Sequence, residues 1–198
     1  MNSTERPRLV IASHNQGKIK EFHEVLGDRW RITPQGELGV SEAAETGLTF
    51  VENALLKARH ACIATGCASL ADDSGLVVPA LGGEPGLRSA RYSGEGDKGN
   101  NALLLANMAS LTGHHRAAFY VAVVVLLQHA EDPTPVIAEG RWFGKIAEAP
   151  RGKGGFGYDP LFIPEGSETH AAELSSQEKN AVSHRAQAVS NLIQQLQA

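Results

Sequence analysis

"IASHNQGKIKEF", residues 11–22, passes from a buried strand through a polar turn into a helix, and that passage sets the fold class. Residues 8–13 read as a strand. Residues 17–26 read as a helix with Ile19, Phe22, Val25 and Leu26 on one stripe. A strand that turns into a helix through small polar residues aims backbone N–H groups at a positive helix end, which is why such corners hold phosphate. Lys18 adds a full charge there. The corner contains neither G-x-x-x-x-G-K-[ST] nor G-x-G-x-x-G, so a capped helix with a solvated lysine is the competing reading.

Outward from the corner, Thr49-Phe-Val-Glu52 is a capping box. It opens a helix that runs through Lys57 and ends near Gly66, with Ala54, Leu55, Ala58 and Cys62 as its buried side. Two short strands, residues 68–71 and 76–78, flank "DDSG", which places Asp72 and Asp73 at a strand end. Residues 82–96 are rich in turn formers, and residues 100–111 form a leucine-rich helix. Residues 119–128 and 136–142 read as adjacent strands joined by a turn that carries Pro133 and Pro135. A strand at 160–163 follows the glycine cluster at 152–157, and helix runs from Ser176 to the end. On one unbroken helix Lys179 and His184 would point about 140° apart. Ser183 is a good N-cap, so the spacing predicts a break there, with His184 and Arg185 opening a second helix. The apolar stripe of this segment is Val182, Ala186, Val189, Ile193 and Leu196.

Acids at a strand end cost desolvation unless a cation or donors compensate. Mg²⁺ prefers oxygen ligands, one or two of them protein carboxylates. Glu45, just before the capped helix, could supply one more. The alternative for "DDSG" is a turn closed by an Asx bond. A nucleophilic Ser74 is disfavoured because G-x-S-x-G is absent. In "GKGGFGYDP" glycines let backbone approach a ligand, Phe156 and Tyr158 offer faces for a flat ring, and Asp159 can accept from its edge. The plain alternative is a hairpin loop. "EKNAVSHR" crowds the donors Lys179, His184 and Arg185 together, or else forms a solvated helix face.

Composition bounds these readings. With 198 residues and 42% hydrophobic content the chain can bury a sizeable core as one domain of one or two lobes. A net charge of −4 disfavours a broad face for nucleic acid. Two cysteines, Cys62 and Cys67, are too few for a disulfide framework and read as core thiols. The longest aliphatic run, residues 121–127, is far below a membrane span, so a cytoplasmic setting is expected.

The motifs "SHNQGKIKE", "ETGLTFVENALLKA", "ADDSGL", "LGGEPGLRSARYSG", "GGFGYDPLF" and "ELSSQEKNAVSHR" resemble, in that order, the inosine triphosphate pyrophosphatase family of RdgB type. The resemblance implies a single domain over residues 1–198, an α/β fold of two lobes around a long curved mixed sheet, with the site in the cleft. It implies Mg²⁺-dependent cleavage of the non-standard purine nucleotides dITP, ITP and XTP to monophosphate and pyrophosphate, by a homodimer. Ser13, Asn15 and Lys18 would hold the triphosphate with Lys57, while Glu45 and Asp73 would hold Mg²⁺. Asp73 would also be the general base, with Asp72 supporting it, and Ser74 would touch the nucleotide. Phe156, Gly157, Tyr158 and Asp159 would form the base pocket, and Lys179, His184 and Arg185 would reach the purine edge. His14 occupies a variable position and is assigned no role. The rivals are a Maf-like pyrophosphatase for modified pyrimidine or methylated nucleotides, against which the pocket residues argue, and a nucleotide sensor that does no hydrolysis.

Overall fold

The computed structural model describes residues 6–197. Strand β1 (Arg8–Ile11) is central to the first part of the sheet because Leu9, Val10 and Ile11 are all buried. It pairs in parallel with β2 (Arg31–Pro34) on one side, Arg8 opposite Arg31, and with β3 (Ala68–Val77) on the other, Leu9 opposite Ala68. Helix α1 (Gln16–Leu26) joins β1 to β2, and α2 (Phe50–Thr65) joins β2 to β3. Since β2 and β3 lie on opposite sides of β1, right-handed crossovers put these two helices on opposite faces of the sheet. Ile19, Phe22 and Leu26 of α1 are buried as the stripe requires; the side chain of Val25 lies outside the described residues.

The remaining elements are α3 (Gly96–Asn107), β4 (Ala117–Leu127), β5 (Val136–Ile146), β6 (Phe162–Pro164), α4 (Ser176–Val182) and α5 (His184–Gln195). The six strands form one mixed sheet in the order β2-β1-β3-β4-β5-β6, with β6 antiparallel to β5. No helix among the described residues is long and apolar enough to cross a membrane.

The chain divides into two compact units. Unit 1 comprises residues 1–73, 123–139 and 188–198, and unit 2 comprises residues 74–122 and 140–187. The core of unit 2 gathers Leu76, Tyr92, Leu104, Met108, Tyr120, Trp142, Tyr158 and Phe162. Beside it the buried Arg116 guanidinium donates to four carbonyls, those of Met108, Leu111, Ile146 and Ala147, at 2.7–3.1 Å.

The capping box forms as its sequence requires: the Glu52 N–H donates to Thr49 Oγ1 at 3.3 Å, and Glu52 accepts from the Thr49 hydroxyl and the Leu48 N–H. Gly66 closes α2 in the left-handed conformation, φ 65°. Ala54, Ala58 and Cys62 are buried, Leu55 and Cys67 half-buried, and both cysteines are free thiols. Thr49→Ala should therefore cost about 1 kcal/mol of stability, the usual worth of such a cap, read as a lowered urea midpoint.

Several sequence expectations need correction. Residues 68–77 are one continuous strand, not two strands broken at "DDSG". The acids tolerate the strand interior because lysines reach them from distant helices. Strand β2 is missed because "RITP" lacks alternation; as an edge strand it can end in Pro34. Helix α3 starts and stops four residues earlier than expected, with Asp97 in its first turn and Leu111 packing on the core from the turn beyond. Strand β5 continues to Ile146, and β6 starts at Phe162 because residues 158–161 form a turn. The break at Ser183 is present, with φ −66° and ψ 158°. Val182 consequently falls off the α5 stripe and is exposed, while Ala188, Val189 and Leu192 carry the burial.

Candidate functional site

In unit 1 the corner at residues 12–18 is built by local hydrogen bonds. Asn15 caps α1 by accepting from the Lys18 N–H at 3.2 Å, and the Asn15 N–H donates to Ser13 Oγ at 3.1 Å. The last β1 contact is the Ala12 N–H on the Leu70 carbonyl, so β3 runs on past the carboxyl end of β1 and carries Asp72 and Asp73 beyond it. Side chains alternate along a strand, so the two adjacent acids face opposite sides of the sheet and meet different helices. Lys18 of α1 pairs with Asp72 at 2.8 Å. Lys57 of α2 pairs with Asp73 at 2.9 Å and with Glu45 at 3.1 Å.

Asn53, four residues before Lys57 and so on the same helix face, donates to Asp73 Oδ2 at 3.3 Å. Its own carbonyl oxygen accepts from the Gly47 N–H at 2.8 Å, which ties the loop carrying Glu45 to α2. Sequence reasoning passed over Asn53, although its spacing from Lys57 was a usable signal.

Charge and burial compete here. Burial alone would pull the Lys57 ammonium down, but Asp73, Asp72 and Glu45 together hold it above its ordinary value. For Asp73 burial wins: its carboxyl is pushed up, and the Lys57 charge and the Lys57 and Asn53 hydrogen bonds pull it back only in part, with Glu45 raising it further. The difference arises because the lysine has three acids and Asp73 a single ammonium. Among the described residues no three His, Cys, Asp or Glu side chains gather into a metal cage. The donor set nevertheless fits a hard cation. Two carboxylates, Glu45 and Asp73, already converge on one positive charge, and Mg²⁺ takes its other ligands from water and phosphate.

In unit 2 the glycine-rich segment is organised around Asp159. This buried carboxylate accepts from the Phe156 N–H at 2.9 Å, from the Tyr120 hydroxyl at 3.4 Å, and from Lys179 in an ion pair. Asp159 thus braces the loop from inside. Its oxygens are engaged within the protein, a difference from its expected role as a free acceptor for a ligand edge. The Tyr158 ring also departs from expectation, being 2% exposed in the core with its hydroxyl on the Ser89 carbonyl at 2.9 Å. Phe156, by contrast, is 52% exposed, with Lys179 Nζ 4.6 Å and the Arg185 guanidinium 5.8 Å from its ring centre. His184 and Arg185 are buried at the start of α5, and the His184 ring stacks on Tyr120 at 4.8 Å. Gly157 is clamped by α3: its N–H donates to Asp97 at 2.7 Å and its carbonyl accepts from Asn101 at 2.8 Å. Ser74 is half-buried in β3. Tyr120, Asp97 and Asn101 were missed from sequence; only the four-residue spacing of the last two offered a signal. His14 bonds Glu42 at 3.0 Å.

The structure therefore brings Ser13, Asn15, Lys18, Glu45, Lys57, Asp72 and Asp73 into unit 1, and Phe156, Gly157, Asp159, Lys179, His184 and Arg185 into unit 2. Fold and site define an α/β protein that gathers lysines and carboxylates beyond the carboxyl end of the parallel strand β1, the side on which such folds receive ligands. The chain belongs to the Ham1 family, which it matches over residues 9–195. A relative from Ralstonia nicotianae named dITP/XTP pyrophosphatase is 53% identical, with 96% of each chain covered. Another of the same name from Xanthomonas campestris is 54% identical, covering 96% of this chain and 97% of its own. Among solved structures, a HAM1 protein from Coxiella burnetii superposes with a TM-score of 0.91 at 44% identity, covering 96% of this chain and 98% of its own.

Proposed function

We propose that this chain is a Mg²⁺-dependent nucleoside-triphosphate pyrophosphatase that hydrolyses dITP, ITP and XTP to the monophosphate and pyrophosphate. We also assign it the single-domain organisation over residues 1–198, the homodimer and the cytoplasmic setting that the family resemblance implies. The observation that carries the reading is the paired arrangement of Lys18 on Asp72 and Lys57 on Glu45 and Asp73, beyond the carboxyl end of β1. The names of the relatives support the substrate class.

Glu45 and Asp73 would hold Mg²⁺, which when bound neutralises phosphate oxygens and acidifies water. Asp73 takes the proton of the water that attacks the α-phosphorus, and the bond to the bridging oxygen of the β-phosphate breaks. Lys18 and Lys57, with Ser13 and Asn15, hold the outer phosphates and absorb the charge that grows on departing pyrophosphate. Asp72 keeps Lys18 extended toward them, and Ser74 contacts the nucleotide. Phe156 stacks on the base with the Gly157 and Tyr158 backbone beside it, and Asp159 holds Lys179 in place. Lys179, His184 and Arg185 present donors to the purine edge. Inosine and xanthine carry a carbonyl at position 6, where adenine turns a donor of its own toward those groups.

The test is incubation with a panel of nucleoside triphosphates and Mg²⁺, with product identification. Monophosphate and pyrophosphate should form in one step, and kcat/KM for dITP, ITP and XTP should exceed that for ATP and GTP by about 10²-fold or more. Diphosphate with orthophosphate as products would overturn the reaction. Equal efficiency on ATP and ITP would overturn the purine-edge assignment.

A further inference from the structure

Tyr120 touches both His184 and Asp159 of the unit 2 cluster, through contacts of different kinds. Its ring lies nearly parallel to the His184 imidazole, 4.8 Å between centres and 10° between planes. Behind it the ring is fixed by Phe162, edge-on at 4.8 Å, and by Trp142, stacked at 6.3 Å. Its hydroxyl donates to Asp159 Oδ1 at 3.4 Å, and the other oxygen of Asp159 accepts from the Phe156 N–H and from Lys179. Burial, reinforced by the neighbouring Asp159 charge, holds the Tyr120 hydroxyl well above the ordinary phenol range, so it stays a donor at every working pH.

We propose that Tyr120 is a positioning residue of the purine site: its ring sets the plane of His184 and with it purine selectivity, while its hydroxyl steadies the carboxylate that fixes Lys179 and the Phe156 loop and so supports binding of either purine. The inference rests on the reading that these side chains face a purine with a carbonyl at position 6. Hydrogen bonds discriminate only when donors are held within about 10–20° of the productive direction. His184 follows the break at Ser183, so its ring plane depends on what it packs against, and Tyr120 is a stacked neighbour locked by two further aromatic rings.

Two substitutions separate the ring from the hydroxyl. Tyr120→Phe keeps the stack and removes the donor to Asp159. It should raise KM for ITP about threefold or more with kcat unchanged and the ITP-to-ATP ratio retained. Tyr120→Leu removes both, and should lower the ITP-to-ATP ratio of kcat/KM about tenfold or more, mostly through KM. The His184 ring protons report the stack without substrate: their ring-current shift should persist in Tyr120→Phe and disappear in Tyr120→Leu. Leu104→Ala, in the same core, should lower the melting temperature and leave the ratio alone. A wild-type ratio in folded Tyr120→Leu, or an equal loss of ratio in Leu104→Ala, would overturn the proposal. Should the leucine variant fail to fold, a wild-type KM in Tyr120→Phe overturns it alone. A wild type that treats ATP and ITP alike, with the His184 shifts as expected, would instead refute the purine-edge reading.

Discussion

Asp73→Asn should fold, melt within a few degrees of the wild type, and hydrolyse dITP about 10²–10⁴-fold more slowly, the scale of a lost positioned base. The small effect on stability follows from opposed contributions. Burial raises the Asp73 carboxyl, so the folded state holds that proton more tightly than the unfolded chain does. Ionisation of Asp73 therefore weakens the fold as pH rises through its pKa, and asparagine escapes that cost. Lys57 works the other way. Its raised pKa contributes stability that is present at neutral pH and lost only as pH climbs through the alkaline folded value, and Asp73 supplies much of the shift. Removing Asp73 gives up part of the second contribution while gaining the first. Steady-state kinetics and a thermal melt on one preparation check both halves. Near wild-type turnover would reduce Asp73 to a structural strand residue.

Gly155→Ala should damage binding more than its size suggests. Gly155 has φ +69°, and a Cβ there would lie 2.0 Å from Asp159 Oδ2. The left-handed backbone alone costs alanine about 1 kcal/mol or more. In a chain of this size that lowers the melting temperature about 2–4 °C per kcal/mol. The contact does the further harm: Asp159 must swing away, and Phe156 N–H, Lys179 and Tyr120 lose their common acceptor. We expect KM for dITP to rise about tenfold or more, with a smaller change in kcat, as loss of binding contacts predicts. Gly166→Ala is the control. It has φ +74° and nothing within 4 Å of its added Cβ, so it pays the backbone cost without the contact. If both variants keep the wild-type KM, Asp159 is not holding a binding loop.

The parts legible in the sequence were those whose causes are local. The corner at residues 11–22, the Thr49–Glu52 capping box and the Ser183 break each depend on residues a few positions apart. What escaped depends on partners far along the chain. "DDSG" reads as a turn because two adjacent acids are costly inside a strand, and the ammonium groups of Lys18 and Lys57, 54 and 16 residues away, offset that cost in a continuous β3. Tyr158 looks like a ligand face when judged by its glycine neighbours, yet the hydrogen bond to Ser89, 69 residues away, draws it into the core. Asn53 was passed over because its role, joining Asp73 to the Gly47 loop, rests on a partner 20 residues away.

The interruption at Ser183 also bears on how this region can change by descent. In a continuous helix every inserted or deleted residue rotates all that follows by about 100°, so distant side chains inherit one another's errors. Ser183 ends α4 by donating to the Lys179 carbonyl and starts the next helix by accepting from the Ala186 and Gln187 N–H groups. Lys179 is therefore phased by its own capping box at Ser175 and Glu178, and His184 and Arg185 are phased by Ser183. A lineage can shift one cation by a residue and keep the others in register, which makes the two segments separately heritable.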